Sequence, residues 1–174
     1  DFSAAAIALA AVLLLGILQG ILLAAAASIL LLVTRAAQPY VAFLGRVPGT
    51  DSYSDLARHP ENEPPAHAIV FRPETSLLYI NADAVPGPVM ERLLSAAPDI
   101  RLVVCDLSAS PYVDLAGSHM LHHLHGELAA RGVALHIVGA RGRVRDLLRA
   151  DGLIEKIGGL DRLARLEDLI KRAE

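Results

Sequence analysis

The sequence predicts an α/β fold, a mixed β-sheet with packed helices, preceded by a transmembrane helical segment. Three observations carry that expectation. Residues Phe2 to Val33 contain no charged side chain and are dominated by Ala, Leu, Ile and Val. From His67 onward, short apolar runs alternate with amphipathic stretches at the spacing of strands and helices. Two of those runs flank Pro73-Glu74-Thr75, a hairpin-like signal that adds an antiparallel pair to an otherwise parallel sheet.

A chain of 174 residues can hold one domain with a real core and a further segment. Its net charge of −3 gives no basic field of the kind that holds a phosphate backbone, so nucleic acid is excluded as a partner. The single cysteine, Cys105, excludes an internal disulfide framework and fits a reducing compartment.

Residues 1–35 form the membrane segment. About 20 apolar residues cross the roughly 30 Å of hydrocarbon in a bilayer at about 1.5 Å per residue. The run is longer than one upright span and shorter than two, and Gly16, Gln19 and Gly20 weaken it near its middle. One long tilted helix and two short helices broken at Gly16–Gly20 both fit. The start DFSAAA lacks a basic n-region, so the chain reads as part of a longer protein and not as one with a secretory signal. Arg35 and Arg46 come after the run with no acid between them, which places its C-terminal side in the cytoplasm.

Residues 36–66 carry Pro39, Pro48, Pro60, Pro64 and Pro65 and read as a proline-rich linker. Residues 67–174 read as the folded domain. Strands are expected at 67–72 and 76–81, and a helix from near Pro88 with Met90, Leu93 and Leu94 on one face. The run 101–108 is nearly continuously apolar, as in a strand covered on both faces. A helix over 115–131 ends at Gly132, a second buried strand spans 133–139, and a helix over 141–151 ends at Gly152. The last helix, 160–173, is amphipathic through Leu163, Leu166, Leu169 and Ile170.

Four features invite a functional reading. The stretch SASPYVDLAGSHML, residues 108–121, comes after the central strand, where α/β folds place ligands, and Asp114 is placed to cap the next helix. His119, His122, His123 and His125 have spacings that could share a helix face, but with Met120, Leu121, Leu124 and Leu128 inward, three of them, His119, His122 and His123, fall on the outer side and no metal is implied. The loop Gly139 to Arg145 joins a strand to a helix; Gly139, Arg141, Gly142 and Arg143 could take an anion or nucleotide there, although the pattern is neither a P-loop nor GxGxxG. Cys105 lies inside a strand and reads as an inert core thiol. No nucleophile, base and orienting acid stand together, so no enzyme is expected and no cofactor is implied.

The apolar tail followed by RAAQPYVAFLGRVPGTDSYSDLARHPENE, with its LGRVPGT and RHPE pieces, resembles the junction in bacterial SulP-type anion permeases, the sulfate permease family. There the last membrane helices meet a cytoplasmic STAS domain. The resemblance implies a STAS-like fold over 67–174 and a chain forming the C-terminal part of a secondary transporter for sulfate, bicarbonate or a related anion in the inner membrane. It implies partners too: membrane lipid, a second copy in a homodimer, and a cytoplasmic regulatory protein. In anti-sigma factor antagonists, which share the STAS fold, the matching stretch is Asp-Ser-Ser-Gly and its second serine is phosphorylated. Here the stretch is Asp114-Leu115-Ala116-Gly117, so Ala116 stands at the switch position without a hydroxyl. Asp114, Ala116, Gly117 and Ser118 are then expected to form a docking or regulatory surface. A membrane-tethered STAS regulator and a nucleotide-binding sensor are the rival readings.

Overall fold

The computed structural model describes residue 6 and residues 16–96, 99–159 and 166–173. The chain divides into two compact units, residues 1–38 and 39–174.

The first unit contains helix α1, Ile17–Ala36. Its 20 residues would run about 30 Å, the thickness of a bilayer's hydrocarbon. Among its residues only Gly20 is buried, while Ile17, Leu18, Leu22 and Leu32 stand open. By length and composition α1 can cross a membrane. The helix begins where the sequence is weakest: Gly16 has φ of 93°, a conformation that favours glycine, and accepts the Gly20 N–H at 2.9 Å. The expected second short helix falls before Gly16, outside the described residues apart from the helical Ala6.

The second unit is built on a five-stranded sheet in the order β2-β1-β3-β4-β5, formed by β1 (Val41–Arg46), β2 (Tyr53–Asp55), β3 (Ala68–Pro73), β4 (Leu102–Asp106) and β5 (Ala134–Val138). β1 pairs antiparallel with β2 and β3, and β3, β4 and β5 are parallel. The helices are α2 (Pro86–Ser95), α3 (Leu115–Ala129), α4 (Gly142–Ala150), α5 (Leu153–Lys156) and α6 (Leu166–Ala173). Pro86 sits at the first position of α2, where a missing N–H costs nothing.

Strand side chains alternate between two cores, as the two-residue period of a strand requires. Val41, Ile69, Phe71, Val103, Cys105, Leu135 and Ile137 face one side, where Val89 of α2, Leu121 and Leu124 of α3, Leu148 of α4 and Leu153 of α5 cover them. Ala42, Leu44, Val70, Leu102, Val104 and Val138 face the other, against Leu166, Leu169 and Ile170 of α6.

Two expectations change. Residues 36–66 are more than a connector, because Val41–Arg46 and Tyr53–Asp55 are strands of the sheet. The prolines at 39 and 48 bound β1 instead of interrupting it. The residues read as a strand at 76–81 form a turn: Leu77 makes one isolated bridge to Val113, and the Asn81 side chain accepts the Leu78 N–H at 2.8 Å. The antiparallel neighbour of β3 is therefore β1, and the sheet is mixed for that reason.

Candidate functional site

The end of β4 and the start of α3 form a joint whose parts are fixed by short polar contacts. Asp114 has extended backbone and caps α3, its Oδ1 accepting the Gly117 N–H at 2.9 Å. Its Oδ2 accepts the Tyr79 N–H at 2.8 Å, so one carboxylate fastens the loop after β3 to the helix start. Leu77, fully buried, donates its N–H to Tyr112 O and accepts from Asp114 N, each at 3.0 Å. Gly117 is packed against this clamp: a Cβ there would lie 2.9 Å from Leu77 O and 2.9 Å from Val113 Cγ1. Ala116 is half-buried beside it.

Removing the cap has a definite expectation. Asp114→Ala leaves two backbone donors without their acceptor and should lower the unfolding free energy by about 1–2 kcal/mol. A denaturant series read at the domain's transition measures it, and an unchanged midpoint would leave Asp114 without this role.

Ser118 is fully buried, which removes it as an accessible switch; its Oγ donates to Asp151 Oδ2 at 2.6 Å. Asp151 lies at the C-terminal end of α4 and gathers further partners from α3. His122 Nε2 lies 3.0 Å from its backbone oxygen and 3.1 Å from Oδ2, and His119 Nε2 lies 3.7 Å from Oδ1. Lys156 Nζ approaches the other ring nitrogen of His122 at 3.4 Å. His122, expected on the outer face, is thus half-buried and structural, while His119 and His123 are exposed. Ser110 is buried too, donating to Thr75 O at 2.8 Å and Pro73 O at 3.2 Å, and Ser108 is exposed.

The Ser118 hydrogen bond, with help from His122 and His119, holds the Asp151 carboxyl below its ordinary value, against the opposing effect of burial. A carboxylate whose folded value is depressed adds stability above its unfolded value, and that contribution is lost as pH falls through the folded value. The stability gap between wild type and Asp151→Asn should therefore be full at neutral pH and shrink below the ordinary carboxylate range. Denaturation at a series of pH values checks this, and a gap constant down to strongly acid pH would refute the linkage. Burial, with the neighbouring Asp106 carboxylate, pushes the Cys105 thiol well above its usual value, which makes it a poor nucleophile.

The Gly139–Arg145 loop is arranged differently. Gly139 has φ of 70°, and a Cβ there would meet Asp106 Oδ1 at 2.6 Å and Ser108 N at 2.8 Å. Arg141 precedes α4, whose first two residues are Gly142 and Arg143; all three are exposed. Arg145 turns back to donate to Ala140 O at 2.7 Å. An acid thus lies against the loop. The parallel strands β3-β4-β5 succeed one another without a reversal of order, and their helices α2 and α3 share one face. Among the described residues no group of three or more His, Cys, Asp or Glu side chains could hold a metal.

The profile of the STAS domain family matches residues 59–168, well over half of the chain. The chain belongs to the STAS domain family. The match begins after β1 and β2, which this STAS domain nonetheless builds into its sheet. Among curated proteins, a probable sulfate transporter of Mycobacterium tuberculosis is 32% identical over 149 residues, covering 86% of this chain and 27% of that protein. The low affinity sulfate transporter 3 of Stylosanthes hamata is 31% identical over 172 residues, covering 91% of this chain and 26% of its own length. That coverage exceeds what residues 39–174 alone could supply, so the likeness runs back into the apolar segment. The chain spans about a quarter of the length of these relatives, which are named as transporters and not as enzymes.

Two solved structures share the fold. The murine Solute Carrier 26 family member A9 anion transporter in its inward-facing state matches with a TM-score of 0.74 at 19% identity, covering 88% of this chain and 25% of that one. The STAS domain of a SulP transporter from Vibrio cholerae matches with a TM-score of 0.53 at 20% identity, covering 68% and 89%.

Proposed function

We propose that the chain is the C-terminal part of a SulP-type secondary transporter for sulfate, bicarbonate or a related anion. It stands in a bacterial inner membrane with its STAS domain in the cytoplasm. The observation that carries this reading is the run, within one chain, of a bilayer-length exposed apolar helix directly into a STAS domain, in the arrangement shared with proteins named as sulfate transporters. Arg35 in the last turn of α1 and Arg46 beyond it support the cytoplasmic side. The substrate path itself lies in segments other than α1, between broken helices of an inverted repeat.

The STAS domain serves assembly or regulation, with the complete transporter a homodimer. Its docking face is the α3 joint, where the half-buried Asp114 and Ala116 lie beside the exposed side chains of Tyr79, Tyr112 and Leu115, 77%, 61% and 54% accessible, while the buried Gly117 and Ser118 support that face from beneath. Ala116 removes the phosphoserine switch, so a cytoplasmic regulatory protein would read this face by shape and not by phosphorylation. The complete protein, expressed in cells deprived of their own sulfate uptake, should restore accumulation of labelled sulfate. Accumulation equal to that of empty cells, with the protein present in the membrane, would count against the reading.

A further inference from the structure

Where α3 packs against the end of α4 and α5, one titratable side chain has ring nitrogens that face opposite kinds of partner. His122 Nε2 lies 3.0 Å from the backbone oxygen of Asp151 and 3.1 Å from its Oδ2. Both are acceptors, so Nε2 carries a hydrogen. His122 Nδ1 lies 3.4 Å from Lys156 Nζ, an ammonium that can only donate, so Nδ1 presents its lone pair. The hydrogen-bond network therefore assigns a neutral ring with its hydrogen on Nε2.

The charged and titratable groups that face His122 come from α4, α5 and α3 itself. The end of α4 gives Asp151, whose carboxyl the Ser118 hydroxyl holds below its ordinary value, so it stays ionised while an imidazole titrates. α5 gives Lys156, its last residue. α3 gives His119, whose Nε2 lies 3.7 Å from Asp151 Oδ1. A proton added at Nδ1 of His122 has opposite effects on the two neighbours. It leaves the Nε2–H donor in place and sets a positive ring against the Asp151 carboxylate. It also removes the lone pair that Lys156 uses and sets two cations against each other. Beyond Lys156 the chain leaves α5 through Gly158 and Gly159, at φ of 79° and 102°. Two backbone bonds close that exit: Ile157 N–H to Leu153 O at 3.1 Å and Gly159 N–H to Ile154 O at 2.8 Å.

We propose that His122 is a pH-sensitive latch: with the ring neutral it ties the end of α5 to α3 through Lys156, and once protonated it releases Lys156 and keeps Asp151. Acid thus moves the polar hold on α3 from α5 to the end of α4. The helix that receives this change is the one whose first turn forms the docking joint, so proton concentration around the STAS domain acts on the element behind that face.

The test follows the complete chain in nanodiscs by NMR from about pH 8 to about pH 5, the range in which imidazoles change charge. At the alkaline end the ring nitrogens of His122 should report the Nε2–H form. As the ring takes up its proton, the hydrogen-exchange protection of the Ile157 and Gly159 amides, corrected for the intrinsic rate, should fall about fivefold, the factor for two like charges at such a separation in water. Protection of the Gly117 amide should stay constant. His122→Gln, which keeps a donor for Asp151 and cannot titrate, should remove the dependence. Lys156→Met, at an exposed position, should remove it while the His122 ring still titrates, and His119→Gln should retain it. The latch is overturned by an Nδ1–H ring at the alkaline end, or by protection that does not follow the ring. It is equally overturned if His122→Gln or Lys156→Met keeps the wild-type dependence, or if His119→Gln abolishes it. The readout does not depend on transport, so it stands or falls apart from the proposed function.

Discussion

Gly117→Val should cost about 3 kcal/mol of folding stability, at the upper end of overpacking penalties, and Gly117→Ala about 1–2 kcal/mol. The cause is lack of space. A Cβ at Gly117 would come within 2.9 Å of the Leu77 carbonyl oxygen and 3.0 Å of the Leu77 Cβ, and neither can swing aside. Leu77 is held from both directions by Tyr112 O and Asp114 N, and its side chain is fully buried. Relief would come only by moving the first turn of α3 away from the loop after β3, which breaks the Asp114 hydrogen bonds to Gly117 and Tyr79. Denaturant unfolding of the complete chain in detergent measures the loss. A valine variant as stable as wild type would mean that the α3 joint is not clamped, and the docking face proposed there would lose its rigidity.

The second large effect is expected in α1. Arginine at the centre of a spanning helix costs about 2.5–3.5 kcal/mol of apparent insertion free energy, and Ala26 lies at the middle of Ile17–Ala36. Ala26→Arg should therefore reduce the fraction of α1 that crosses the membrane severalfold, while Ala26→Leu should leave it unchanged. Glycosylation sites placed on either side of α1 report the crossing directly. Equal crossing of the arginine variant would show that position 26 does not face lipid, and no crossing by either protein would leave the chain without its membrane segment.

The centre of the domain is legible in the sequence because that centre depends on local pattern. β4 is a nearly continuous apolar run buried at every residue, as a strand covered on both faces must be, and β5 keeps Leu135, Ile137 and Val138 buried with His136 only partly so. The Asp114 cap and the inward Met120, Leu121, Leu124 and Leu128 follow from helix geometry alone. β1 and β2 are hidden when proline density is taken as an average, whereas what matters is position: Pro39 and Pro48 flank six strand residues free of proline. Residues 76–81 have the composition of a strand, but Asn81 turns the chain and Leu77 is spent on a clamp.

The site divides in the same way. Asp114, Ala116 and Gly117 are visible because they lie together in sequence. The Ser118–Asp151 contact spans 33 residues and exists only once α3 and the end of α4 have packed. Nothing in the local spacing of the histidines shows that His122 would join Asp151 while His119 and His123 stay in solvent.

Whether the chain belongs to a transporter is decided by anion flux through the complete purified protein in liposomes, with labelled sulfate outside and an imposed ion gradient. Saturable uptake above protein-free liposomes is expected for sulfate, or for bicarbonate when that is offered instead. A correctly inserted protein that passes neither anion under any imposed gradient would contradict the transporter reading and leave a membrane-tethered STAS regulator in its place.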